Sequence, residues 1–197
     1  MSVIKLMIIF FIKNIIVNYM PISRIEIILG CMFSGKSTEL LRRCNRYKAI
    51  GHNVLLINHL NDVRTGESVM THRKETASAI KTDTLLSIIN NDTFQTSNVV
   101  GIDEGQFFGD LLEFVKLVEK MNKILIISGL DGDSNREPFG QILNCIPLCD
   151  EVVKLTAMDM VDKDGTPAIF TKRIVNDAEQ ILVGTSDKYI AVSRKNY

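Results

Sequence analysis

Short, wholly apolar runs alternate along this chain with longer stretches in which apolar residues recur at helical spacing. Arg24 to Leu29 (RIEIIL) is a β-branched run that stops at Gly30. Lys36 to Ile50 follows with helical periodicity, and Gly51 suits the left-handed position after a helix C-terminus. Val54 to Ile57, Val99 to Ile102 and Ile124 to Leu130 read as further buried strands, Asp110 to Met121 as an amphipathic helix, and Val152 to Ala157 as the last strand of a core. Asp83 is placed to N-cap a short helix, TLLSIIN, whereas the polar stretch His59 to Lys81 has no clear period. Strands that are apolar throughout and alternate with helices predict an α/β fold, a parallel sheet covered by helices on both faces.

The texture changes at the two ends. After Ala157 comes a charged turn, MDMVDKDGTP, with the Asp-Gly and Thr-Pro signals of a hairpin, and then the β-like pieces AIFTKRIV, QILVG and YIAVS. Residues 158–197 are therefore expected to form a small β-rich lobe on a core spanning 20–157, its packing resting on Ile169, Ile181, Val183, Ile190 and Val192. Residues 1–19 are rich in Ile and Phe but are interrupted by Lys5, Lys13 and Asn14. Their longest uncharged run, Leu6 to Ile12, is far short of the roughly 20 residues a membrane span needs, and no small-residue cleavage site follows. The segment reads either as an amphipathic anchor or as an extension ahead of a fold that begins near Met20.

Composition narrows the partners. A chain of 197 residues holds one main core with at most a small appendage. Its 23 Lys+Arg balance 23 Asp+Glu, so no global field attracts nucleic acid or an anionic membrane, and any polyanion site must be local. Cys31, Cys44, Cys145 and Cys149 form no C-x-x-C pair and are too sparse for a disulfide framework, which points to a reducing compartment. His52, His59 and His72 lack metal-ligand spacing and read as loop residues.

The local polyanion site is visible. Gly30-Cys31-Met32-Phe33-Ser34-Gly35-Lys36-Ser37 fits G-x-x-x-x-G-K-[ST], the P-loop, directly after a predicted strand and before a predicted helix. In that motif backbone N–H groups curl around phosphate oxygens, the helix dipole adds positive potential, the lysine reaches the β and γ phosphates, and the hydroxyl ligates Mg²⁺. Asp103 and Glu104 end an apolar strand, which puts Asp103 at the carboxyl edge of the sheet as a magnesium-holding acid and Glu104 one residue further out, facing the phosphoryl acceptor. Gln106-Phe107-Phe108 then has the character of a binding loop.

Together GCMFSGKSTELLRR, GIDEGQFF, DGDSNREPFGQILN and VVKLTA, followed by TKR and DKY, resemble thymidine kinases of the compact type shared by vertebrate cytosol, poxviruses and many bacteria. The similarity runs from about Arg24 to Tyr197. It implies phosphoryl transfer from Mg-ATP to the 5′-hydroxyl of thymidine, Glu104 as general base, and an acid and an arginine near sugar and phosphates at Asp62 and Arg64. It further implies a base pocket walled by Met32, Phe107, Leu130, Phe139 and Tyr189 beside Gln106, a closing loop made of Thr171 and the segment Gln180, Leu182, Val183 and Gly184, and an arginine near the phosphates at Arg173. A homotetramer, a cytoplasmic location (the host cytoplasm if viral) and end-product inhibition follow from the same resemblance, with no nucleic-acid or membrane partner.

Departures from the family pattern are informative. Cys31 stands where proline is usual, and its side chain is expected to point away from phosphate. Ser134 replaces a phenylalanine beside the base, which opens the reading of a kinase with broadened base specificity. The family's four lobe ligands, cysteine or histidine, fall at Asp159, Asp162, Ser193 and Asn196, so no structural zinc is expected. The rival class, a P-loop ATPase coupling hydrolysis to motion or binding, also uses a Glu after a Walker-B Asp, but the chain is short, neutral and without a basic patch. An inactive relative kept for binding sits poorly with the intact Lys36, Ser37, Asp103 and Glu104.

Overall fold

The computed structural model of the chain describes residues 23–62, 68–70, 76–175 and 187–197, with side chains at all of these except 68–70 and 76–78. Six strands form one sheet: β1 (Arg24–Gly30), β2 (Val54–His59), β5 (Ile80–Thr82), β6 (Val99–Ile102), β7 (Ile124–Gly129) and β8 (Glu151–Leu155). Their order is β5-β2-β6-β7-β1-β8, and every pairing is parallel. Strand periodicity sorts the side chains onto two faces. Ile25, Ile27, Leu55, Ile57, Val100, Ile102, Leu125 and Ile127 pack on one side against Phe94, Leu111, Phe114, Val115 and Val118. Ile28, Leu56, Val99, Ile124 and Ile126 pack on the other against Leu40, Leu41 and Cys44 of α1 (Lys36–Ala49). Burial on both faces is why these strands carry unbroken apolar runs, each fully buried Leu, Ile or Phe contributing roughly 1.5–3 kcal/mol. Glu26 breaks the run on the α1 face, where it is buried and paired with Arg43 of that helix.

Some expectations are met and some are corrected. Gly51 follows α1 at φ 87° as expected. Helix α3 (Leu111–Val118) lies within the span expected from Asp110 to Met121. The helix expected over TLLSIIN is only a 3₁₀ turn, Leu86–Ile88, and Asp83 does not cap it; the Leu86 N–H instead donates to Asp110 Oδ2 from across the fold. The short helix α2 (Asp92–Thr96) follows, capped by the Asn91 side chain accepting from Thr93 N–H. The stretch without a period contributes β5 to the main sheet and the antiparallel pair β3 (Ser68–Met70) and β4 (Thr76–Ser78).

Beyond β8 the chain forms two antiparallel pairs, β9 (Ala157–Met158) with β10 (Pro167–Ala168) and β11 (Phe170–Arg173) with β12 (Tyr189–Val192). The first is the hairpin signalled by the Asp-Gly turn. Among the described residues the lobe's own apolar centre is small: Ala157, Ala168 and Ala191 close around Cys31 of the P-loop, with Phe33 against them. Val192 is also buried, Ile169 and Ile190 are half-buried, and Ile181 and Val183 lie outside the described residues.

Candidate active site

Parallel register brings the chemistry to one edge. Leu29 pairs with Gly129 and Ile102 with Ile127, so the P-loop after β1, Asp103 after β6 and Leu130 after β7 all emerge at the carboxyl ends of adjacent or next-neighbour strands. Gly30 must be glycine: a Cβ there would lie 2.5 Å from the Leu155 carbonyl oxygen and 2.7 Å from Ser34 Oγ. Phe33 adopts φ 66°, and the loop closes by Ser34 N–H and Oγ both donating to the Cys31 carbonyl. The buried Lys36 ammonium donates to the same carbonyl at 2.9 Å, which holds its charge over the loop. Gly35 provides no side-chain cap to α1, so the first-turn N–H groups face the loop as a phosphate cradle requires. Ser37 is the second residue of that helix and is half-buried. Cys31 points into the lobe, its thiol donating to the Ala168 carbonyl and kept protonated by burial. This is the orientation expected of it.

The acids after β6 are held from two sides. Asp103 is 1% exposed, and Ser128 of β7 donates its hydroxyl to Asp103 Oδ1. Glu104 sits at φ 54°, ψ 42°, a left-handed conformation uncommon for a non-glycine residue and typical of functional positions. Gln106, expected among the substrate contacts, has its amide engaged inside the protein: Nε2 donates to Glu104 Oε2 at 2.7 Å and Oε1 accepts from Leu130 N–H at 2.9 Å. Gly140 allows this arrangement, since it has φ 61° and a Cβ there would fall 2.1 Å from the Gln106 carbonyl oxygen.

An aromatic wall flanks the acids. Phe107 meets Phe139 edge-on at 5.6 Å, and His59 lies 5.6 Å from Phe107 and 4.8 Å from Phe108. His59 is thus no loop residue. It ends β2, is buried, and accepts from Asn61 N–H at Nδ1, while burial lowers its pKa and keeps the ring neutral. Asp62 is buried nearby, its Oδ2 accepting from Asn58 Nδ2 at 2.8 Å and its carbonyl from Lys81. Thr171 of β11 ties the lobe to the P-loop by accepting from Met32 N–H at 3.0 Å. Arg173 donates to the Tyr189 hydroxyl at 3.1 Å and lies over that ring. Ser134 occupies the loop 131–139, which Asp133 closes by accepting from Asn135 and Glu137 N–H. The hydroxyl of Tyr197 donates to the Ser134 carbonyl. Arg64, Gln180, Leu182, Val183 and Gly184 lie outside the described residues. Sequence reasoning missed Asn58, Ser128 and Tyr197, none of which belongs to a motif; the partners they hold do.

A P-loop opening onto an uncapped helix N-terminus, with a buried Asp and a constrained Glu on the same sheet edge, has the form of a nucleoside-triphosphate site, one that kinases and ATPases share. Residues 23–197 match the family model described as thymidine kinase. The thymidine kinase of raccoon poxvirus is 45% identical over 173 residues, covering 88% of this chain and 96% of its own length. That of Yaba monkey tumor virus (strain VR587) is 44% identical, covering 88% and 93%, and that of vaccinia virus (strain Western Reserve) 43%, covering 88% and 96%. The chain belongs to the thymidine kinase family, whose members are ATP-dependent nucleoside kinases.

Proposed function

We propose that the chain phosphorylates the 5′-hydroxyl of thymidine from ATP, with Glu104 as the base that takes the hydroxyl proton. The observation that carries this reading is the Glu104 carboxylate itself, fixed in a left-handed conformation and by Gln106 at the sheet edge that also bears the P-loop. A neutral hydroxyl is a poor nucleophile, and a carboxylate within hydrogen-bond reach can remove its proton as the bond to phosphorus forms. Lys36 and the P-loop amides hold the β and γ phosphates. Asp103 and Ser37 are the groups that would hold Mg²⁺, and a hard cation suits a buried carboxylate and a hydroxyl at this edge. When bound, Mg²⁺ neutralises charge on the transferring group. Phe107 and Phe139 supply the apolar wall for the pyrimidine, and Asp62, fixed by Asn58, faces the sugar.

Further parts of the proposal are a base pocket widened at Ser134, where the chain departs from the family's phenylalanine, and a homotetrameric assembly and a cytoplasmic location, both supported by family membership. Among the described residues no helix is long and apolar enough to cross a membrane. The division of labour is tested by two variants. Glu104→Gln is expected to bind ATP and thymidine yet form no dTMP, and Lys36→Ala to lose ATP binding. Near wild-type turnover by Glu104→Gln would remove Glu104 from the role of base.

A further inference from the structure

Asp159 is a carboxylate 1% exposed whose two oxygens accept hydrogen bonds from opposite ends of the lobe. Its Oδ1 accepts from Val161 N–H at 2.8 Å and Asp162 N–H at 2.9 Å, both in the hairpin turn, and from Asn196 Nδ2 at 3.1 Å near the C-terminus. Its Oδ2 accepts from Ser193 N–H, just after β12. Three donors share Oδ1 and one reaches Oδ2, so the carboxylate gathers backbone and side-chain donors from both segments. The Ser193 N–H above all, with the other donors, holds the carboxyl far below the usual range, so it stays ionised.

The same four positions, Asp159, Asp162, Ser193 and Asn196, are those at which the family resemblance places metal ligands, and the structure brings them to one point. Their chemistry does not fit zinc. No thiolate or imidazole is among them, Asp159 is engaged by four hydrogen-bond donors, and Asp162 Oδ2 accepts from Lys195 at 3.0 Å. We infer that the Asp159 carboxylate does the work of a structural metal, clasping the hairpin turn to the C-terminal segment. Thr171, Arg173 and Tyr189 ride on β11 and β12; β11 begins and β12 ends beside this clasp, with Arg173 and Tyr189 paired at the far end, and Thr171 bonds the P-loop. Asp159 is thus a positioning residue for the lobe's face of the substrate site. That last step rests on the thymidine kinase reading, whereas the clasp itself does not.

Three measurements on the full chain test it. Protein purified without chelator should carry substoichiometric zinc and melt at the same temperature with and without chelator; one zinc per chain overturns the inference. In Asp159→Asn the amide nitrogen opposes an N–H donor, so hydrogen exchange at Val161, Asp162 and Ser193 should accelerate at least tenfold while the main sheet is unchanged. The thymidine KM should rise several-fold, and by more than the KM for ATP. Unchanged exchange overturns the clasp, and faster exchange with unchanged thymidine KM overturns only its link to the substrate site. Finally, Asp159→Cys, Asp162→Cys, Ser193→Cys and Asn196→Cys combined should create a tetrathiolate that binds one Co²⁺ per chain with tetrahedral thiolate absorption. A folded quadruple variant without that signal would show that the four positions do not converge.

Discussion

Replacing Gln106 separates two roles that one side chain performs. Its Oε1 satisfies the Leu130 N–H and its Nε2 steadies the Glu104 carboxylate, in a position only 3% exposed. Gln106→Leu keeps most of the volume but leaves the buried Leu130 N–H without an acceptor, a loss of about 1–3 kcal/mol. For a chain of 197 residues, at about 2–4 °C per kcal/mol, that lowers Tm by about 2–12 °C. Gln106→Glu is the sharper probe, because it keeps an acceptor for Leu130 and replaces the donor to Glu104 with a second carboxylate. Two carboxylates about 4 Å apart at an effective dielectric near 20 repel by about 4 kcal/mol, so the pair retains a proton to a pH about one to three units higher than an isolated acid. The kcat–pH profile of Gln106→Glu should therefore have its acid limb displaced upward by at least one unit, with turnover regained toward high pH and KM for ATP unchanged. The assay is steady-state dTMP formation across pH 5–9 for wild type and both variants. A Gln106→Glu profile that superimposes on wild type would refute the coupling of Gln106 to the base.

Two further perturbations probe other parts of the site. Ser134→Phe should tighten thymidine binding by about 0.5–1.5 kcal/mol, the worth of one aromatic pairing, and sharpen discrimination between bases in competition assays; weaker binding would mean that a neighbour already fills the space. His59 is buried with its pKa lowered, so the unfolded chain takes up a proton there more readily than the native one. Stability should be full above the ordinary value of 6.5 and fall as pH drops below it, and the urea midpoint of His59→Phe should vary less between pH 7 and 5 than that of wild type; equal slopes would contradict this.

Much of the site was legible because its chemistry is contiguous. The P-loop and the Asp103-Glu104 pair each follow directly from a strand, so one local pattern fixes both their identity and their place at the sheet edge. What escaped depends on contacts remote in sequence. Strand β5 is three residues with one strongly apolar member, and only pairing with β2 makes it a strand. Asp83 has the right chemistry for a cap, yet Asp110 takes that role from 24 residues away. His59 read as a loop histidine because nothing beside it in sequence shows the Phe107 and Phe108 rings that enclose it. Asp159 read as a lost ligand, and its actual partners, Ser193 and Asn196, lie 34 and 37 residues on. Among the described residues the lobe's buried centre holds three alanines packed on a P-loop cysteine, small residues that no apolar pattern marks, beside the expected Val192.

The most direct test of the central claim is a product assay: the full chain incubated with Mg-ATP and each of the four deoxynucleosides in turn, with the monophosphates separated and quantified against ADP released. Thymidine should yield dTMP with one ADP formed per product, and at a higher rate than any of the other three nucleosides. ADP accumulating at the same rate with and without nucleoside, and no monophosphate formed, would contradict the account and mark the P-loop as that of an ATPase.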